Sequence, residues 1–153
     1  MADSTYAEAL RLLSRRELSE AQLRQRLARR GHDVASIDTV IARLRADRSI
    51  DDVRVAEIIA RSETSLRKRG PHRVRRRIEA AGIAPATAKA AVDAAFRDID
   101  HDALMSAALE KRLRGRATVE DEDEFQRLYR FLIGQGFDSD RVIALLRTRQ
   151  GKR

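Results

Sequence analysis

The chain has 153 residues, of which 42% are hydrophobic and only 4% aromatic, and its 32 Lys and Arg against 24 Asp and Glu give a formal net charge of +8. That length admits one modest core or a short row of small ones, and the basic excess favours an anionic partner such as nucleic acid or an acidic protein surface. The absence of Cys excludes disulfides, thiolate metal sites and thiol nucleophiles; no apolar run approaches the roughly 18 residues of a membrane span, and the first residues lack the pattern of a leader, so a cytosolic protein is expected.

Tyr6, Leu10 and Leu13 fall at i, i+4 and i+7, which predicts one apolar stripe of a first short helix. Ser19 with Gln22 makes a capping box, and Leu18 can staple onto Leu23, so a second helix starts there and stops near Gly31. Asp33 then caps a third helix with Val34, Ile37, Val40, Ile41 and Leu44 on its buried side. Leu23, Leu27 and Gly31 are matched by Val74, Ile78 and Gly82, and again by Leu128, Leu132 and Gly136. Beyond each Gly the register holds, with Ile37, Val40 and Ile41 corresponding to Ala88, Ala91 and Val92 and to Val142, Leu145 and Leu146. A repeat of about 50 residues predicts an all-helical array of three tandem three-helix units, over residues 1–50, 51–99 and 100–153. The first helices of the second and third units are expected over Val53–Leu66 and Leu104–Leu113. Four of the six aromatic residues, Phe125, Tyr129, Phe131 and Phe137, gather in the third unit and read as its core, with a base-stacking surface as the alternative.

The densest basic stretch is Arg61 to Arg77, with eight Lys or Arg, Lys68 and Arg69 among them, against the single acid Glu63. If Val74 and Ile78 face the core, helical spacing turns Arg73 and Arg76 outward and leaves Arg75 and Arg77 on the flanks. The repeat equivalents of Arg73 and Arg76 are Arg127 and Arg130 in the third unit, but Gln22 and Gln25 in the first. A second patch is C-terminal: Arg141, Arg147, Arg149, Lys152 and Arg153. Either patch reads as a partner-binding surface or as a solvated helix face, and the C-terminal one also answers a helix dipole. All but four of the 32 basic residues are Arg, suited to bidentate phosphate and carboxylate contacts, although a GC-rich genome gives the same bias. The acidic run Glu120 to Glu124 reads as helix-start chemistry, with contact to a basic partner or repulsion of phosphates as the alternatives, and the pair Asp51-Asp52 reads as helix capping.

Catalytic constellations are missing. His32, His72 and His101 are isolated in sequence, and there is no Gly-rich phosphate loop or Gly-x-Ser-x-Gly elbow. Neither catalysis nor a bound metal or cofactor is expected.

Four segments, in order and spacing, resemble the RecX family of bacterial regulators of the RecA recombinase. They are Leu12-Leu-Ser-Arg-Arg-Glu-Leu-Ser-Glu-Ala-Gln-Leu23, Ser49-Ile-Asp-Asp-Val-Arg-Val-Ala56, Gly70-Pro-His-Arg-Val-Arg-Arg-Arg-Ile78 leading to Gly82-Ile83, and Phe131-Leu-Ile-Gly-Gln-Gly-Phe-Asp-Ser-Asp140. Val55 departs from the aromatic common at that place, and Arg67-Lys-Arg-Gly70 from a Gly-aromatic-Gly turn. The resemblance covers about Tyr6 to Arg149 and implies a curved array of three-helix repeats. It also implies a binding protein that lies along the RecA filament on single-stranded DNA and inhibits ATP hydrolysis, strand exchange and co-protease activity; separately, no heptad seam long enough for a coiled coil appears, so a monomer is expected. The implied setting is homologous recombination, DNA repair and the SOS response. The expected contact residues, toward filament or phosphate, are Arg73 and Arg76, then Arg127 and Arg130, with Arg69, Lys68, Arg147 and Arg149 beside them. The alternative reading is a direct DNA-binding helical module for single-stranded or duplex DNA.

Overall fold

The computed structural model describes residues 2–151, and Lys152 and Arg153 of the C-terminal basic patch lie outside the described residues. The described residues form nine α-helices: α1 (Ala2–Arg15), α2 (Glu20–Arg29), α3 (Val34–Ala46), α4 (Asp52–Arg61), α5 (Pro71–Ala80), α6 (Pro85–Phe96), α7 (His101–Leu113), α8 (Glu122–Gln135) and α9 (Ser139–Thr148). One π-helical turn, Ser62–Leu66, follows α4. The only extended pairing among them is an isolated parallel bridge between Val119 and Gln150. None of these helices is long and apolar enough to cross a membrane.

The repeat seen in sequence is a repeat of local geometry. Leu23 and Leu27, Val74 and Ile78, and Leu128 and Leu132 are all buried, and each pair is followed by a glycine in the left-handed region: Gly31 at φ +87°, Gly82 at +79° and Gly136 at +100°. The glycine ends one helix and lets the chain turn into the next. There Ile37, Val40 and Ile41, then Ala88, Ala91 and Val92, then Val142 and Leu146 are buried in register, while Leu145 packs partly buried against the third set.

The chain groups into two compact units, one running to Ile58 with Ile78–Ala91, the other comprising Ile59–Arg77 with Val92 onward. The core of the first gathers Ala9, Leu12, Leu18, Leu23, Leu27, Ile37, Val40, Ile41, Leu44 and Ile50. Ser19 caps α2 with the full reciprocal box; its buried hydroxyl also donates to the Ala81 carbonyl. Asp52 adds a further cap by accepting the Glu20 N–H at 2.9 Å, and its neighbour Asp51 caps the start of α4 through the Val53 and Arg54 N–H groups. The pair does the helix-start work its position suggested.

Two expectations for this unit need correction. Of the stripe Tyr6, Leu10, Leu13, Tyr6 and Leu13 pack partly buried against the core, but Leu10 is 41% exposed and the fully buried residues of α1 are Thr5, Glu8, Ala9 and Leu12. Polar groups reach that face because each has a partner: Thr5 hydrogen-bonds His32 at 2.8 Å, and Glu8 pairs with Arg11 at 2.6 Å and with Arg30. On α3, Val34 is 74% exposed instead of buried, because it is the first helical residue and precedes the turn that packs.

In the second unit α7, α8 and α9 enclose Met105, Leu109, Leu113, Val119, Leu128, Leu132, Phe137, Val142 and Leu146, with Phe125, Tyr129 and Phe131 packed partly buried against them. The aromatic cluster therefore belongs to the core, and Arg112 lies over the outer face of Phe131, 4.1 Å from its centroid. The acidic run is local chemistry too. Asp121 caps α8 through the Glu124 N–H at 2.8 Å, and buried Glu124 accepts the Glu120 N–H at 2.7 Å and pairs with Arg116. That hydrogen bond from Arg116, then the one from the Glu120 backbone, hold the Glu124 carboxyl below its ordinary range. α7 begins three residues earlier than expected, at His101, because Asp100 caps it through the Ala103 N–H. Asp138 stands at the N-cap of α9 but makes no side-chain cap bond; its carboxylate lies 3.9 Å from His72 instead.

Candidate functional site

The arginines of α5 are positioned by the way this helix begins against the end of α8. The last carbonyls of α8 have no partner within their own helix, and the segment leading into α5 supplies donors: Gly70 N–H to the Gln135 carbonyl at 2.8 Å and His72 N–H to the Gly136 carbonyl at 3.0 Å. A guanidinium N–H of Arg73 donates to the Gly134 carbonyl at 3.1 Å. The positive start of one helix thus meets the negative end of another. The approach is close enough to require glycine on both sides. A Cβ at Gly70 would fall 2.5 Å from the Gly136 carbonyl carbon, and one at Gly136 would fall on the Cβ and backbone N of Arg73.

Beside this junction an open cleft of about 540 Å³ is bordered by Glu63, Arg67, Arg73, Arg76, Arg77 and Gly134. Two of the expected contact residues, Arg73 and Arg76, therefore lie together. Arg73 is half-buried, not fully outward as spacing predicted, because its side chain reaches across to α8. Burial, then the neighbouring charge of Arg69, holds Arg73 below the usual arginine value, though a guanidinium remains cationic at any physiological pH. Arg76 and Arg77 are exposed and have no ion-pair partner among the described residues. Glu63, nearly buried, is 3.9 Å from Arg67.

The other expected residues distribute as follows. Arg69 is half-buried; its Nε is buried without a hydrogen-bond partner, and its backbone N–H bonds the Glu63 carbonyl at 3.0 Å. Lys68 is exposed in the turn before α5, at φ +56°. Arg127 and Arg130 are exposed on α8, at i−7 and i−4 from Gly134, so they share the stripe of α8 that ends at the cleft. Arg147 and Arg149 are elsewhere. They stand at the far end of α9, about 15 Å along its axis from the α8–α9 turn, and Arg149 is held by Glu110 at 3.2 Å.

Sequence reasoning did not single out Arg67, Arg77, Glu63 or Gly134 as contact residues. The i, i+4 spacing of Glu63 and Arg67 was the available signal for that pair. Nothing in the sequence indicated that Gly134 would face α5. No group of three or more potential metal ligands occurs among the described residues, and the surface is one of fixed positive charge suited to bidentate contacts with anions.

Over residues 6–44 the chain matches the family model described as RecX, first three-helix domain. It is 36% identical over 137 residues to the Regulatory protein RecX of Halorhodospira halophila, covering 89% of this chain and 82% of that one. To the Regulatory protein RecX of Chromohalobacter salexigens it is 33% identical over 135 residues, covering 88% and 86%. Its fold is similar to the crystal structure of RecX from Lactobacillus salivarius, with a TM-score of 0.81 at 17% identity over 96% of this chain and 95% of that one.

Proposed function

The chain belongs to the RecX family of regulatory proteins, and from that premise we propose that it binds the filament RecA forms on single-stranded DNA and lowers its ATP hydrolysis, strand exchange and co-protease activities. The observation that carries this reading is the gathering of Arg73 and Arg76 at one cleft, with Arg127 and Arg130 on the stripe of α8 that leads into it. Such forks pair with acidic side chains of a protein filament or with phosphates of the DNA it carries. Regulation then works by occupying a surface, not by chemistry. The three repeats, 1–50, 51–99 and 100–153, would let one monomer touch successive filament protomers with modest energy at each. Its setting is the cytoplasm, in homologous recombination, DNA repair and the SOS response.

The test is RecA ATP hydrolysis on single-stranded DNA with the protein titrated in, at a salt concentration where it does not bind bare DNA. Arg73 also holds α8, so the clean variant reverses only exposed residues: Arg76→Glu, Arg127→Glu and Arg130→Glu together. Inhibitory potency should fall at least about ten-fold, or about 1.4 kcal/mol, with the helical circular dichroism unchanged. Full inhibition by the triple variant would sink the assignment of these residues. Strong, salt-sensitive binding to DNA alone without any inhibition would favour a nucleic-acid module over a filament regulator.

A further inference from the structure

The cleft holds more positive charge than its own carboxylate can balance. Four guanidiniums border it, those of Arg67, Arg73, Arg76 and Arg77, and Glu63 is the single acid in its lining. Glu63 is turned inward, its side chain 10% exposed, and its ion pair with Arg67 is long, at 3.9 Å. A fifth cation, Arg69, stands near enough for its charge to act on Arg73, with its Nε buried and unpartnered. Guanidiniums do not relieve such crowding by losing protons. A bound anion does.

The shape and lining restrict that anion. About 540 Å³ is within the range of small-ligand sites, and the lining has no aromatic ring on which a base could stack and no apolar face that would take a helix. A lone carboxylate would offset one charge among four. Adjacent phosphates deliver two or more negative charges over a short span and match the planar fork of each Arg.

We propose that the cleft formed by Glu63, Arg67, Arg73, Arg76 and Arg77 binds a pair of adjacent phosphate groups, either the diphosphate of a nucleotide or two successive backbone phosphates of single-stranded nucleic acid. This deepens the reading of the α5 arginines as contact residues, and it concerns the chain alone, without recombinase. Glu63 acts as the resident counter-charge, holding Arg67 when the cleft is empty and opposing the ligand when it is full. Removing that charge therefore strengthens binding.

The experiment is calorimetric titration of pyrophosphate into the full chain at fixed ionic strength. The expected result is saturable binding at one site, weakened at least ten-fold in Arg76→Gln/Arg77→Gln and tightened several-fold in Glu63→Gln. Arg15→Gln/Arg16→Gln, the same charge change on exposed residues of the first unit, should leave it unaltered. No saturable binding, or equal weakening in the two double variants, would overturn the proposal, as would weaker binding in a folded Glu63→Gln protein. Competition by ADP assigns the site to nucleotides, and competition by an octathymidylate without terminal phosphate assigns it to the nucleic-acid backbone. Competition by neither overturns both sources. If pyrophosphate fails to bind while RecA inhibition persists, the site is wrong and the regulatory reading stands; if pyrophosphate binds and RecA is not inhibited, the site stands and the regulatory reading is wrong.

Discussion

Gly31 and Gly136 occupy the same place in two repeats, yet replacing each by Ala should have unequal effects. Both lie at positive φ, +87° and +100°, where an L side chain costs about 1–2 kcal/mol. At Gly31 nothing lies within 4 Å of the added Cβ, so that strain is the whole effect. At Gly136 the Cβ would land on the Cβ and backbone N of Arg73. Neither can yield easily, because the neighbouring His72 N–H and the Arg73 guanidinium are both bonded to the end of α8. Overpacking of this kind adds about 1–3 kcal/mol. Gly136→Ala should thus lose about 3 kcal/mol, a large part of the stability of a small protein, and Gly31→Ala about half of that. Native-state hydrogen exchange resolves the two, reading α2 amides in one variant and α8 amides in the other. Equal losses would refute the claim that the α5–α8 junction is set by contact at Gly136. A larger loss in Gly31→Ala would do so more strongly.

Ser19→Ala removes both the cap of α2 and the donor to the Ala81 carbonyl; at a fully buried site this should cost about 2–3 kcal/mol in urea unfolding, and a loss below about 0.5 kcal/mol would contradict the buried hydrogen bond. Glu124 gives a pH test. Its folded pKa is depressed, so its ionised form contributes stability above the ordinary glutamate range, and that contribution disappears as pH falls through the folded value. The advantage of wild type over Glu124→Gln in thermal unfolding should therefore be full at pH 7 and shrink as pH drops below about 4.5, the reference value. Asp33 and Asp47 are depressed as well, but both proteins carry them. A constant difference across this range would remove the Arg116–Glu124 pair from the account of α8.

The helices and their order were readable because each carries its own local signal. Ser19 and Asp33 mark starts, and Gly31, Gly82 and Gly136 mark stops, in places where backbone geometry permits few other residues. The α1 face was legible only in part, through Tyr6 and Leu13, because apolar periodicity carries no information about Thr5 and Glu8, whose burial depends on His32, Arg11 and Arg30 from other turns or helices. For the cleft, the outward spacing of Arg73 and Arg76 came from the core register of Val74 and Ile78. What joins them to Gly134 is a long-range approach of two backbones at Gly70 and Gly136. Those glycines read in sequence only as a turn and a repeat mark. Arg149 shows the converse limit, since a basic C-terminal run does not reveal that one of its members is already held by Glu110.

The π-helical turn at Ser62–Leu66 closes with the Arg67 N–H on the Ser62 carbonyl at 3.3 Å, five residues back, one residue more than an α turn requires. Deleting a single residue there would convert the turn to the α pattern and shift its buried members Glu63 and Thr64. The close approach of Gly70 to Gly136 holds the start of α5 in place, so the change falls on the turn itself, re-aiming Glu63 and Arg67 by up to about 100° while the later helices keep their register. Loss or gain of one codon at this turn would alter the surface beside the cleft while leaving the caps and glycine stops of the repeats in place. Point substitution of Arg67 could remove its charge but could not re-aim the segment. Length variation in the stretch between α4 and α5 is therefore expected to change what the cleft presents to a partner.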